Sequence, residues 1–190
     1  MMMRLAAVSF VLLAACSSKT PAPVAAPAPV AAPAPTPAAA PAPDVPLAVG
    51  APAPDVTFTL HDGKSLALSS LQSSRVLVYF YPKDDTPGCT VEAQGLRDRA
   101  ADFEAAGIKV FGVSVQDAES HKAFIDKHAL PFPLVVDEGA KIATAFRVPL
   151  IGNGMASRQS FLIGKDGRIE ALWLNVDPST HAADVLAAVH

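Results

Sequence analysis

The thiol of Cys89 stands where a nucleophile would need to stand. It follows Thr86-Pro87-Gly88, which reads as the start of a helix. Threonine can cap the free amides there, and proline fits the first helical position because its missing N–H has no partner to lose. Cys89 therefore falls in the first helical turn, where unsatisfied amides and the positive end of the helix dipole favour the thiolate over the thiol. Gly88 lets a substrate approach the backbone closely. The competing reading is a small buried hydrophobe, which most free cysteines are. A structural cysteine, however, has no need of a Pro-Gly pair and a threonine on its N-terminal side.

The elements around this thiol follow from patterning. Arg75 to Tyr81 is a near-continuous apolar run that suits a strand covered on both faces, and it breaks at Pro82. Val56 to Leu60 alternates as a half-exposed strand, His61-Asp62-Gly63-Lys64 is a turn, and Ser65 to Leu68 returns as a hairpin. The helix after Cys89 places Cys89, Ala93, Leu96, Ala100 and Phe103 on one face, leaves Glu92 as a carboxylate on another, and runs to near Gly107. Ile108 to Val115 is a second buried strand. Asp117 caps a helix to about His128, and Leu134-Val135-Val136 is a third core strand. Strands alternating with helices imply parallel crossovers. A short helix near Ala140 to Phe146 precedes an antiparallel hairpin, Ser160 to Ile163 and Ile169 to Val176, and a last helix starts at about Thr180.

Pro82, Thr86 and Cys89 fit the Pro-x-x-x-Thr-x-x-Cys motif of peroxiredoxins. The longer run from Tyr81 to Thr90, Tyr-Pro-Lys-Asp-Asp-Thr-Pro-Gly-Cys-Thr, resembles the bacterioferritin comigratory protein, or peroxiredoxin Q, subfamily. The resemblance continues through Gly112-Val113-Ser114, Ser120-His121-Lys122-Ala123-Phe124, Leu130 to Leu134 and Arg158 to Ile163, so it covers about Ala48 to the C-terminus. It implies an α/β, thioredoxin-like fold with a central mixed sheet flanked by helices. It also implies a thiol-dependent peroxidase that reduces hydrogen peroxide and organic hydroperoxides through a cysteine sulfenic acid on Cys89. By the same resemblance Thr86 would hydrogen-bond the thiolate and the peroxide, Pro82 would shield the pocket from water, and Arg158 would supply a cation for the charge on the leaving oxygen. Read without the resemblance, Arg158 is a surface arginine beside the glycine-rich loop Gly152-Asn153-Gly154.

One position departs from the subfamily's pattern. Many members carry a resolving cysteine five residues after the first, and here that residue is Gln94. A one-cysteine peroxidase is implied, reduced by an external thiol from a thioredoxin-like protein or a small molecule, and open to sulfinic oxidation where that thiol is scarce.

The N-terminal part is of another kind. Residues 1–16 read as a secretion signal, with Arg4 as the positive start and an apolar core from Leu5 to Ala15. That core is shorter than the about 20 residues a membrane span needs. Leu13-Ala14-Ala15-Cys16 resembles a bacterial lipobox, so Cys16 is expected to be lipidated and to attach the chain to a membrane, with a simple soluble signal peptide as the alternative. Ser17 at the next position resembles lipoproteins sent to an outer membrane, which implies its periplasmic face. Residues 17–46 are an Ala/Pro-rich tether with Pro-Ala-Pro-Val-Ala-Ala at Pro21 and again at Pro27. An extended chain of that kind reaches up to about 90 Å. The catalytic domain is expected over 47–190.

A net charge of −3 in 190 residues, with no run of lysines or arginines, argues against nucleic acid as a partner. His61, His121, His128, His181 and His190 lack metal-ligand spacing and read as solvated or terminal residues. Gly152-x-Gly154 does not open a phosphate-binding turn. No metal or organic cofactor is implied, and the sequence leaves monomer and dimer open. Two further functions compete with the peroxidase: a redox sensor or thiol-exchange protein forming mixed disulfides at Cys89, and a non-catalytic, tethered binding domain.

Overall fold

A computed structural model describes residues 46–189. The expected signal segment 1–16 with Cys16, the tether as far as residue 45, and His190 lie outside the described residues. No helix among those described is long and apolar enough to cross a membrane.

The chain opens with a small hairpin, β1 (Thr57–Thr59) and β2 (Ser65–Ala67), paired antiparallel. A single 3-10 turn, Leu68–Leu71, leads from it to β3 (Arg75–Phe80). Two helices, α1 (Pro87–Asp98) and α2 (Ala100–Ala105), carry the chain to β4 (Ile108–Ser114), and α3 (Ala118–His128) carries it on to β5 (Leu134–Val136). Then come α4 (Lys141–Ala145), a short ribbon of β6 (Leu150–Ile151) and β7 (Met155–Ala156), the hairpin of β8 (Gln159–Ile163) and β9 (Ile169–Trp173), and α5 (His181–Ala187).

Five strands form one sheet in the order β5-β4-β3-β8-β9. β3 runs parallel to β4 and β4 to β5, as strand-helix-strand crossovers require, while β8 and β9 add antiparallel. The sheet is therefore mixed, with β3 at its centre, and the apolar run of β3 meets cover on both faces. Val76, Val78 and Phe80 enter one core with Phe58, Phe111, Phe146 and Phe161. Leu77, Tyr79 and Tyr81 enter the other with Cys89, Leu96, Phe103, Phe124 and Leu162. Strand alternation thus puts Tyr79 on the face of the sheet that α1 covers, and Cys89 packs from α1 into the same core.

One expected helix is two. Arg99 leaves the helical basin (φ −107°, ψ 15°), and this break separates α1 from α2. The turn lets Leu96 and Phe103 both reach the core, whereas Ala100, expected on the same face, is only half-buried. Asp117 caps α3 as expected, accepting from the Ser120 N–H at 2.8 Å. The Gly152-Asn153-Gly154 loop is the tip of the β6–β7 ribbon.

Candidate active site

Between β3 and α1 the chain turns sharply through Pro82 to Thr86. Asp85 takes a left-handed conformation (φ 56°), which aspartate tolerates better than most residues. Lys127 and His128 at the end of α3 hold its carboxylate at 2.5 and 2.8 Å, and these contacts keep it below the ordinary carboxylate range. Asp84, next to it, points inward. Its carboxylate accepts from the Tyr81 hydroxyl at 2.7 Å and from Ser120 Oγ at 2.7 Å, and it lies 2.9 Å from His121 Nδ1. The other His121 ring nitrogen is 3.1 Å from the Val135 carbonyl, so both face oxygen acceptors. Burial pushes the Asp84 carboxyl up, but His121, then Ser120 and Tyr81, outweigh it and hold it below its usual value. A carboxylate so depressed stabilises the fold above its unfolded pKa of about 3.9 and loses that contribution as pH falls through the folded value. Asp84→Asn is therefore expected to lower the denaturant midpoint at neutral pH and to flatten its decline below about pH 4. Equal slopes for variant and wild type on the acid side would contradict this.

Thr86 does not cap α1 with its side chain as expected. It occupies the cap position in extended backbone, while its hydroxyl donates to the Lys83 carbonyl at 3.0 Å, a bond within the turn itself. The donor is thereby committed, and the oxygen's lone pairs remain able to accept. Pro82 is half-buried at the start of the same turn.

Cys89 is a free cysteine in the first turn of α1, 2% exposed. Arg158, between β7 and β8, reaches it: Nη2 donates to Sγ at 3.3 Å. A side chain at Gly88 would place its Cβ 3.3 Å from that same Nη2, so the group that Gly88 admits to the helix end is the guanidinium. The other arm of Arg158 pairs with Glu92 Oε2. Glu92 is therefore no solvated helix-face carboxylate; it is buried one turn past Cys89 and takes its charge partner from across the fold. Burial tends to lower the Arg158 pKa, but the Glu92 and Cys89 charges outweigh it and raise it. Arg158 thus stays a cation, with the Glu92 carboxylate at one arm and the Cys89 sulfur at the other.

Two histidines expected in solvent are buried: His121 in the Asp84 cluster, and His181 at the start of α5. The Nδ1 of His181 stands 3.0 Å from the second Glu92 oxygen, close enough for an ion pair but outside hydrogen-bond geometry. Gln94, at the place of the missing second cysteine, lies 3.2 Å from His128 Nδ1, and Arg97 donates to the His128 carbonyl at 2.8 Å, so α1 is fastened to the end of α3. The structure thus brings Arg158 to Cys89 and keeps Thr86 and Pro82 in the turn before it. It adds Glu92 and His181, which are buried rather than solvated. A signal for Glu92 existed, since it stands one helical turn after the thiol beside the apolar face; none marked His181. Among the described residues no three His, Cys, Asp or Glu side chains gather as metal ligands would. A buried sulfur facing a fixed cation at a helix start is an arrangement for nucleophilic attack on a small electrophile whose leaving group turns negative.

Comparison with known proteins agrees with this chemistry. Residues 49–172 match the model of the AhpC/TSA family. The chain is 40% identical to the chloroplast peroxiredoxin Q of Oryza sativa subsp. japonica over 140 residues, 72% of this chain and 64% of the relative. It therefore spans just under two thirds of the length of that protein. A peroxiredoxin of Coxiella burnetii is 37% identical over 146 residues, which cover 74% of this chain and 97% of the relative. The fold is similar to that of Xanthomonas campestris peroxiredoxin Q, with a TM-score of 0.67 and 34% identity over 70% of this chain and 89% of the other. The bacterioferritin comigratory protein of that organism has been studied for its alkyl peroxide reduction activity in trapped intermediate and ligand complexes.

Proposed function

The chain belongs to the AhpC/TSA family, in its peroxiredoxin Q branch and with its thioredoxin-like fold, and from that premise we propose that it is a thiol-dependent peroxidase with Cys89 as the attacking group. The observation that carries the reading is the Arg158 guanidinium 3.3 Å from a buried thiol in the first turn of a helix.

In the proposed reaction the Cys89 thiolate attacks the terminal peroxide oxygen. A sulfur–oxygen bond forms and the O–O bond breaks, so sulfur is oxidised by two electrons and the departing alkoxide or hydroxide takes them, then a proton from water. Arg158 is already in place for the charge that grows on the leaving oxygen, and such a fixed cation acts more strongly where water is excluded. Thr86 offers its lone pairs to the peroxide O–H, and Pro82 covers the turn. The substrates are hydrogen peroxide and organic hydroperoxides, the second in keeping with the alkyl peroxide activity of the Xanthomonas protein.

The sulfenic acid is then reduced from outside. One external thiol condenses with it to a mixed disulfide and water, and a second releases Cys89. This one-cysteine cycle is supported by Gln94 at the place where a resolving cysteine would stand, and by Cys89 being the only cysteine among the described residues. Anchoring to the periplasmic face of an outer membrane through lipidated Cys16, with 17–46 as the tether, belongs to the same proposal.

The test is peroxide consumption by the full chain supplied with a generic thiol, beside Cys89→Ser. Wild type should remove peroxide and the variant should not; in fractionated cells the activity should sediment with membranes and become soluble in Cys16→Ser. Mixed disulfides at Cys89 without peroxide loss would move the reading to a redox sensor. No reactivity at all would leave a tethered binding domain.

A further inference from the structure

Among the described residues six buried polar side-chain atoms have no hydrogen-bond partner: Tyr79 Oη, Glu92 Oε1, Ser157 Oγ, Ser160 Oγ and both ring nitrogens of His181. Most of them meet in one place. Tyr79 pairs with Ser160 across β3 and β8, and Ser160 with Trp173 across β8 and β9, so the three side chains share a face of the sheet. The rings of Tyr79 and Trp173 each lie 6.2 Å from the His181 ring, edge-on, and the free Glu92 oxygen is 3.0 Å from His181 Nδ1. Each buried polar group left unmet in a native fold calls for a reason, whether an ordered water or a functional role.

The arrangement around Arg158 supplies one. The guanidinium lies between the Glu92 carboxylate and the Cys89 sulfur, and its field is divided between them. Whatever else meets the Glu92 charge leaves more of that field for sulfur. The titratable groups facing His181 are Glu92 on α1 and Tyr79 on β3. Burial, and then the Glu92 charge, hold the Tyr79 phenol well above its ordinary range, so it stays neutral. The carboxylates flanking His181 in sequence are engaged elsewhere, Asp177 with Ser179 and Asp184 with Thr180. His181 is thus the ionisable side chain placed to balance Glu92 on the side away from Arg158.

We propose that His181 is a positioning residue for the Cys89 reaction, acting through Glu92: it holds the free carboxylate oxygen, so that the other orients Arg158 on the sulfur, and it draws Glu92 charge away from the guanidinium. The inference rests on the peroxidase reading above.

The experiment is a double-mutant cycle on the full chain, with kcat/KM for hydrogen peroxide followed against pH in wild type, His181→Phe, Glu92→Gln and the double variant. His181→Phe should lower kcat/KM about tenfold near neutral pH, and the rise of its pH profile should move up by about one unit, because less positive field reaches the sulfur. His181→Gln, which restores a donor, should recover part of the loss. The double variant should be no slower than Glu92→Gln alone. Should His181→Phe fail to fold, as judged by thermal melting, His181→Leu takes its place in the same cycle. A His181 variant with the wild-type rate and pH profile overturns the proposal, and so does a double variant whose loss is the product of the two single losses. A wild-type chain that consumes no peroxide sinks the peroxidase reading instead, so the two failures are distinct.

Discussion

Arg158→Gln should lose most of the peroxide reduction and a large part of the fold's stability together, and the two losses should separate in a second variant. The activity loss follows from position. Removing a preorganised donor from a developing anion typically lowers turnover about 10²- to 10³-fold, and Arg158 is the cation that touches Cys89. The stability loss follows from Glu92, whose side chain is fully buried and whose hydrogen-bonded charge partner is Arg158. Breaking a buried ion pair from one side strands the remaining charge, at a cost of up to about 3–5 kcal/mol, which the His181 contact at 3.0 Å lessens. Replacing both partners, as Glu92→Gln with Arg158→Gln, removes that charge and should restore much of the denaturant midpoint, yet leave kcat/KM as low as in the single variant. Arg158→Lys should fall between, since an ammonium cannot reach both the Glu92 carboxylate and the Cys89 sulfur as the two arms of a planar fork do. The measurement is kcat/KM for peroxide beside a urea midpoint for each variant. An Arg158→Gln chain with wild-type kcat/KM would exclude the guanidinium from the reaction, and a double variant no more stable than the single would show that Glu92 is met by other partners.

That ion pair also marks the limit of reading this chain from its sequence. The central strand was legible because burial on both faces leaves a continuous apolar run, Val76 to Tyr81, and the alternation of Val56 to Leu60 showed the opening hairpin equally well. Asp117 announced its helix because a cap acts on amides two and three residues away. Every one of these signals is local. Glu92 looked like a solvated carboxylate because its type nearly always is, and what permits its burial is an arginine 66 residues further along the chain. No local pattern carries that pairing; only the resemblance nominated Arg158. The same holds for His121 and His181, whose partners come from other elements. Two misses are of another kind. Thr86 was expected to cap because threonine can, but a carbonyl three residues back offered its hydroxyl a bond inside the turn. Asn153-Gly154, between Leu150-Ile151 and Met155-Ala156, carries the Asn-Gly signal of a tight hairpin, but strands only two residues long leave too little alternation for the sequence to show them.

Excess peroxide without a thiol should drive the chain to complete and irreversible inactivation. Once Cys89 is a sulfenic acid, its fate depends on whether a second thiol or a second peroxide arrives first. No cysteine among the described residues can supply the thiol from within. At Gln94, five residues along α1, the axial rise alone is about 7.5 Å, beyond the Cα separation of about 7 Å that a disulfide allows, so even a cysteine there could bridge only if the helix unwound. Here Gln94 and Arg97 fasten that helix to His128 instead. Access favours the peroxide as well, because Cys89 is 2% exposed and a small oxidant passes where a protein thiol must first dock. Intact-mass spectrometry should then show Cys89 gaining two oxygen atoms as activity disappears, with no recovery on adding a thiol and no gain in Cys89→Ser. With an external thiol present from the start, the mass should stay at the reduced value and activity should persist, because the thiol intercepts the first oxidation step. A mass gain that stops at one oxygen under excess peroxide, or activity fully restored by a thiol afterwards, would mean that the folded pocket itself protects the sulfenic acid, and the one-cysteine cycle would need a partner that this chain carries within it.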